Sequence, residues 1–117
     1  MKTKKKGDKY ENKVKKELET LGWTVHRVYP SFMRTPKGFF TKSNDIFGCI
    51  DLVCKKKDRP TRWIQCTASM KNKSVKEKEI LQYDFWGTSD QVEIWCLDKK
   101  KGQRVFRLCD GQFEELF

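Results

Sequence analysis

Apolar residues recur along this chain with the periods of helices and strands. Within residues 9–21 they are spaced four and three positions apart, at Tyr10, Val14, Leu18 and Leu21. This spacing predicts one buried face of an amphipathic helix. Gly22 follows the last apolar position and is expected to end the helix.

Three strands are predicted after this helix. Residues 23–29 alternate large apolar with polar side chains, and residues 46–55 are mostly apolar. The polar residues 56–60 join that second segment to another alternating segment, 61–67, which predicts a β-hairpin. Between the first two strands, residues 30–44 contain two prolines and a glycine and are expected to form a long loop.

A second helix and further strands are predicted in the rest of the chain. Ser74 to Glu77 fits a capping box, and the helix is expected to run to Gly87. Residues 91–97 and 104–109 predict two strands, and residues 112–116 predict an extra edge strand. The pattern indicates an α/β fold with the order αβββαββ, without internal repeats.

The composition shows that the chain is strongly basic. The chain has 117 residues, of which 36% are charged, and its net charge is +10. One domain, residues 9–117, is therefore expected behind a flexible basic arm, residues 1–8. Such a surface attracts polyanions. No apolar run reaches the roughly 18 residues of a membrane-spanning helix, and no signal peptide is recognisable, so we expect an intracellular protein without membrane contacts.

The five cysteines do not form a zinc motif. They include no Cys-x-x-Cys pair, and His26 is the only histidine that is present. The cysteines are expected to be small buried residues on strands in a reducing compartment.

Basic residues are concentrated at the N-terminus and in the predicted loop. Those expected to contact nucleic acid are Lys4, Lys5, Lys6, Lys9, Arg27, Arg34, Lys37, Lys42, Lys71 and Lys73. The N-terminal lysines equally suit a solubilising tail. In the loop, Phe39 and Phe40 suit either stacking on bases or anchoring the loop on the core.

Asp51 is the acidic residue that most needs a chemical reason. It lies in the apolar segment 49–54, where a buried and unpaired carboxylate would be costly. Hairpin pairing is expected to bring it beside Gln65, whose side chain points to the same face as Thr67. If the first helix packs over the hairpin, Glu11 joins them. These oxygen atoms suit Mg²⁺, which activates water for phosphodiester hydrolysis.

Each of these residues also has an ordinary structural explanation. Glu11 would be a solvated partner of nearby lysines. Gln65 would bond across the sheet, and Thr67 would be a plain strand residue. Asp45, six positions before Asp51, is expected to be a strand-entry residue or to support the site indirectly.

These motifs resemble the PD-(D/E)XK nuclease superfamily, in particular its archaeal and phage Holliday-junction resolvases. The resemblance covers roughly residues 6 to 70 and consists of Lys6-Gly7 before Glu11, Leu18-x-x-x-Gly22-Trp23, Ile50-Asp51-Leu52-Val53 and Trp63-Ile64-Gln65-x-Thr67. It implies a restriction-endonuclease-like core, in which helices flank a mixed β-sheet.

The resemblance also implies roles for individual residues. Glu11 and Asp51 become ligands of Mg²⁺ or Mn²⁺, Gln65 takes the usual acidic position as third ligand, and Thr67 takes the position of the catalytic lysine. Glutamine donates an oxygen without a negative charge, and threonine does not replace an ammonium group. Lys71 or Lys73 are the nearby lysines that would substitute for it.

The implied function is a metal-dependent endonuclease that hydrolyses DNA phosphodiester bonds, with Holliday junctions or other branched DNA among its substrates. Resolvases of this type are homodimers, so the resemblance implies a homodimer. Two alternatives stay open at this point. The chain would be a nuclease-fold DNA-binding module that has lost catalysis, or a basic RNA-binding protein without an active site.

Overall fold

A six-stranded sheet and two helices make up most of the computed structural model. The structure describes the backbone of residues 2–27, 31–35, 38–42 and 46–116, and side-chain surroundings for residues 9–27 and 46–116. Its elements are α1 (Lys2–Thr20), β1 (Thr24–Arg27), β2 (Ser31–Thr35), β3 (Gly38–Lys42), β4 (Leu52–Lys55), β5 (Thr61–Thr67), a 3₁₀ turn (Met70–Asn72), α2 (Lys73–Leu81), β6 (Asp90–Asp98), β7 (Gly102–Cys109) and β8 (Gln112–Glu115).

The sheet is mixed, as predicted. Its strand order is β1-β4-β5-β6-β7-β8, and all neighbours are antiparallel except β5 and β6, which α2 connects. A parallel pair needs such a crossover, because the chain must return to the starting end of the sheet. The α/β class and the predicted edge strand β8 are confirmed. Neither helix in the described residues is long and apolar enough to cross a membrane.

The two faces of the sheet carry different apolar cores. Alternation along β5 and β6 directs Ile64 and Trp95 to the face on which α1 packs. Neighbouring positions such as Ile94 point to the opposite face, where Ile80 of α2 covers them. The predicted stripe of α1 is confirmed at Tyr10, Val14 and Leu18, which are almost fully buried.

The first and last residues of α1 differ from the predicted ones. The helix begins at Lys2, so the residues predicted as an arm have helical backbone. At the other end Leu21 is 60% exposed and does not belong to the buried stripe. Gly22 turns the chain with a φ of 94°, a conformation that costs glycine little.

Two predictions between β1 and β5 are wrong. The predicted loop 30–44 contains the antiparallel β2–β3 hairpin, with Met33 opposite Phe40. The predicted strand 46–55 is a strand only from Leu52, because Phe47 and Gly48 have φ values of 55° and 72° and turn the chain.

The start and end predicted for α2 are also wrong. Ser74 lies inside the helix, and its N-cap Asn72 makes no side-chain bond. The helix ends at Leu81, so the apolar residues after it are not part of a helical stripe. They instead form an aromatic cluster with two residues distant in sequence; its members are Phe47, Trp63, Tyr83, Phe85 and Trp86.

A buried ionic network lies on the α1 face of the sheet. Glu93 is fully buried, and its carboxylate accepts hydrogen bonds from the guanidinium groups of Arg62 and Arg107 and from the indole of Trp95. The shortest N–O distance to each arginine is 2.7 Å. The network satisfies a charge that would otherwise be costly to bury.

Candidate functional site

Asp51 lies where β4 separates from β5. The last register pair is Leu52 with Ile64, and the Asp51 amide still donates to the Ile64 carbonyl at 2.9 Å. Beyond this point, the Asp51 carboxylate accepts the hydrogen bond of the Cys66 amide, also at 2.9 Å. The carboxylate, 7% exposed, therefore takes the place of a missing backbone partner. We call this point, formed by Asp51, Gln65 and Cys66, the strand fork.

The Gln65 side chain also forms a hydrogen bond with the backbone of Cys66. Its amide nitrogen donates to the Cys66 carbonyl at 3.2 Å, and only 3% of the residue is exposed. That bond fixes the orientation of the amide group, so Oε1 points away from the Cys66 carbonyl. Oε1 is buried without a hydrogen-bond partner in the part of the chain that the structure describes. A buried acceptor without a partner costs about 1–3 kcal/mol, so it marks a position where a ligand would be favourable.

Glu11 reaches the site from α1 and is held by Arg27. The Arg27 guanidinium donates to Glu11 Oε2 at 3.2 Å and to Asn12 Oδ1 at 2.8 Å. Arg27 ends β1, opposite Leu52 of β4, and is 6% exposed. Although we predicted a nucleic-acid contact for Arg27, its burial gives it the role of orienting Glu11 inside the protein.

The thiol of Cys66 lies in the electrostatic field of both carboxylates. Burial raises the pKa of this thiol well above its usual range, and the negative charges of Asp51 and then Glu11 raise it further. The positive charge of Arg27 lowers it. Helix α1 packs against β5 of the hairpin, which is the condition under which Glu11 was expected to join Asp51 and Gln65.

Gln65 approaches the fork from the opposite side. Gln65 pairs with Ile94, whose side chain belongs to the core under α2, so Gln65 points to that face of the sheet. Glu11 comes from the α1 face. The three predicted ligands thus surround the fork from both faces and do not lie in one row along a strand.

The oxygen donors at the fork suit a hard divalent cation. Mg²⁺ prefers carboxylate and amide oxygens, and these are the donor types that Asp51, Glu11 and Gln65 carry. Within the described ranges, no three His, Cys, Asp or Glu side chains are grouped closely enough to hold a metal ion by themselves. A cation at the fork would therefore depend on the amide oxygen of Gln65 as well as on the carboxylates.

The other predicted catalytic positions lie at the end of β5 and beyond it. Thr67 is 6% exposed, and its hydroxyl donates to the Ser69 carbonyl at 3.1 Å. Lys73 donates to Glu77 at 3.1 Å and lies 4.2 Å from the centre of the Phe106 ring. Lys71 is exposed to solvent.

Several predicted contact residues lie outside what the structure describes. This applies to Lys37 and Asp45 entirely, and to the side chains of Lys4, Lys5, Lys6, Arg34, Phe39, Phe40 and Lys42. Lys9 is exposed on α1.

Sequence reasoning missed Asn12, which shares Arg27 with Glu11, and two exposed lysines of α1, Lys13 and Lys16. The regular spacing of Lys9, Lys13 and Lys16 was the signal that would have identified the lysines.

No family model matches this sequence, and comparisons with curated proteins and with solved structures return no match. We therefore infer a function from the geometry of the fork and from the charge around it.

Proposed function

We propose that this protein is a metal-dependent endonuclease that hydrolyses DNA phosphodiester bonds. The observation that carries the proposal is the buried amide oxygen of Gln65, which has no partner among the described residues. It lies at the fork where Asp51 bonds the same backbone residue, Cys66. Buried polar groups are almost always bonded, so an exception beside a carboxylate indicates a site for a cation.

The order of the elements supports a core of the PD-(D/E)XK type. Helix α1 packs across β1 and β5, the strands β1, β4 and β5 form an antiparallel unit, and α2 leads to the parallel strand β6. This arrangement is similar to the αβββαββ order that the resemblance implies. The β2–β3 hairpin is an addition to it.

The residues at and around the fork would have different roles in catalysis. Asp51, Glu11 and Gln65 would hold Mg²⁺ or Mn²⁺, which supplies a more acidic water and neutralises charge on the phosphate. The Cys66 amide fixes the Asp51 carboxylate, and Arg27 fixes Glu11. Thr67 brings no positive charge to the lysine position, so positive charge beside the reacting phosphate would have to come from a bound cation or from other lysines.

One observation favours a second candidate, a DNA-binding module without catalysis. The Arg27–Glu11 ion pair already neutralises one of the two carboxylates at the fork. With a neutral Gln65 as third donor, the site has less negative charge to attract a divalent ion. This candidate predicts salt-dependent DNA binding without metal-dependent cleavage. Comparing the affinities for RNA and DNA at one salt concentration separates both candidates from an RNA-binding protein.

The test is cleavage of labelled duplex and four-way junction DNA in the presence of Mg²⁺ or Mn²⁺. Asp51→Asn keeps an acceptor for the Cys66 amide but removes the charge, so the fold should persist while cleavage falls at least about 100-fold. Glu11→Gln should act in the same direction. Asp110→Asn, at the exposed β7–β8 turn, is the matched control and should cleave normally. Cleavage that survives both site substitutions contradicts the proposal.

The resemblance also leads us to propose a homodimer, which would present two such sites to two strands. Sedimentation velocity of the full chain tests this point independently of cleavage. A monomer at every concentration measured would exclude it.

A further inference from the structure

A cleft lined by lysines runs along α1 next to the fork. Its volume is about 570 Å³, and the described residues that line it are Lys9, Tyr10, Asn12, Lys13, Lys16 and Leu97. The three lysines are spaced four and three residues apart, so they share one face of the helix and extend over about 10 Å of its axis. The volume lies within the range of about 300–1,000 Å³ that is typical of ligand sites.

A second cleft continues the first. Leu97 also lines a neighbouring cleft of about 270 Å³, which carries Lys71, Lys99 and Lys100. The two clefts therefore adjoin at Leu97, an apolar residue that both share, and both carry lysines on their lining. We call these two clefts together the basic groove.

The charge of the basic groove is available to a ligand. All six of its lysines are exposed, and none forms an ion pair within the described residues. Asp98 is the acidic residue on its described lining, and its carboxylate is held by Arg104 at 3.2 Å and by the Lys100 amide at 2.8 Å. The groove therefore presents a surplus of positive charge.

The floor of the groove is apolar. Tyr10 and Leu97 belong to the core on the α1 face; Tyr10 is almost fully buried, so the accessible apolar surface comes from the partly buried Leu97. The aliphatic stems of lysines add to this surface while their ammonium groups point outward. A ligand that fits both features has a flat or apolar body and a chain of negative charges, which describes a strand of nucleic acid with its bases accessible.

The groove is connected to the candidate site through residues that neighbour or bond the site residues. Asn12 lines it and accepts a hydrogen bond from Arg27, the residue that also holds Glu11. Ser69 and Lys71 line the second cleft, and in the sequence they closely follow β5, the strand that carries Gln65. A strand lying in the groove would thus contact residues that adjoin the candidate site in the structure or along the chain.

We propose that the basic groove binds an unpaired strand of DNA, with a base on the apolar floor and phosphates on the lysines. The proposal rests on the proposed function for the identity of the polyanion as DNA. A concave site with an apolar floor favours an unpaired strand, because bases in a duplex are stacked and reach such a floor only after they leave the helix. The substrate class would then be DNA with a single-stranded segment next to the cleaved bond.

The test is fluorescence anisotropy of the full chain in EDTA, where cleavage does not interfere. The probes are a short thymidine oligonucleotide, an abasic oligonucleotide with the same number of phosphates, and a duplex of equal length. We expect the thymidine strand to bind about 10-fold more tightly than the abasic strand, since a stacked base contributes on this scale. It should also bind more tightly than the duplex at the same salt concentration.

A pair of matched double variants locates the binding site. Lys13→Ala with Lys16→Ala should lower the slope of log affinity against log salt by about 1.4, which corresponds to two phosphate contacts of a single strand. The control, Lys57→Ala with Lys78→Ala, removes two exposed lysines outside the groove and should leave the slope unchanged. Circular dichroism verifies that both variants are folded.

Three results would overturn the proposal. These are equal affinity for thymidine and abasic strands, tighter binding of the duplex, and equal slopes for the two double variants. Tighter binding of a uridine RNA oligonucleotide would overturn the assignment to DNA. The endonuclease proposal fails separately, because absence of cleavage with the expected binding pattern removes the catalytic function and leaves the groove intact.

Discussion

Gln65→Glu tests whether the fork is a metal site. The substitution keeps the size of the side chain, adds the negative charge that the resemblance leads one to expect at this position, and removes the amide donor to the Cys66 carbonyl. Gln65 is 3% exposed, so without a cation the new carboxylate would be buried close to Asp51. We expect this to cost about 1–3 kcal/mol of unfolding free energy in EDTA.

The pH dependence of that loss has a definite sign. Burial and a neighbouring carboxylate both raise the pKa of a carboxyl group in the folded state. The folded variant therefore keeps its proton while the unfolded chain loses it above about pH 4.3. Stability relative to the wild type should fall as the pH rises from there.

Added cation should offset part of the loss. Suppose that the third charge tightens binding about 10-fold and that the ion is present at about ten times the wild-type Kd. The wild type then gains about 1.4 kcal/mol and the variant about 2.7 kcal/mol. The difference corresponds to roughly 5 °C in Tm for a domain of this size.

The assay is thermal unfolding with EDTA or Mn²⁺, for the wild type, Gln65→Glu and the control Gln112→Glu. Gln112 is exposed on β8, so its substitution adds the same charge away from the fork. If Mn²⁺ raises the Tm of Gln65→Glu no more than that of the control, Gln65 is not a ligand, and the metal site proposed here is refuted.

Three further predictions concern stability and thiol chemistry. Glu93→Ala should lower the unfolding free energy in urea by about 3–5 kcal/mol, because Arg62 stays buried without its carboxylate. Glu114→Ala, on the exposed part of β8, should change it by less than about 0.5 kcal/mol, and equal losses would contradict the network. With a thiol reagent at pH 8, the half-buried Cys109 should react first, and the four buried cysteines should react only after unfolding. Burial raises the pKa of Cys54 to about 12 in the folded protein, whereas the thiol of the unfolded chain ionises above about pH 8.5. Ionisation therefore favours the unfolded chain, and the urea midpoint should fall as the pH rises above about 8.5.

Periodicity predicted those elements whose faces are determined by local spacing. The buried residues of α1 and the strands β5, β6 and β7 appear where the pattern indicated, because a helix or strand with one apolar face has only one orientation that buries it. The closeness of Asp51 to β5 followed from the same logic, since a hairpin register brings known positions together.

Contacts between distant residues decided the rest. Phe47 adopts a positive φ in a segment that looks like a strand, and ring contacts to Tyr83 and Phe85 hold it there. Arg27 looks like a surface cation in the sequence, yet Glu11 and Asn12 bury it. Spacing along the chain contains no information about partners 16 or 36 residues away, because only packing of the helix and turns onto the sheet brings them into contact. The sequence alone therefore determined which residues could form the site, and the tertiary structure decided which charges meet there.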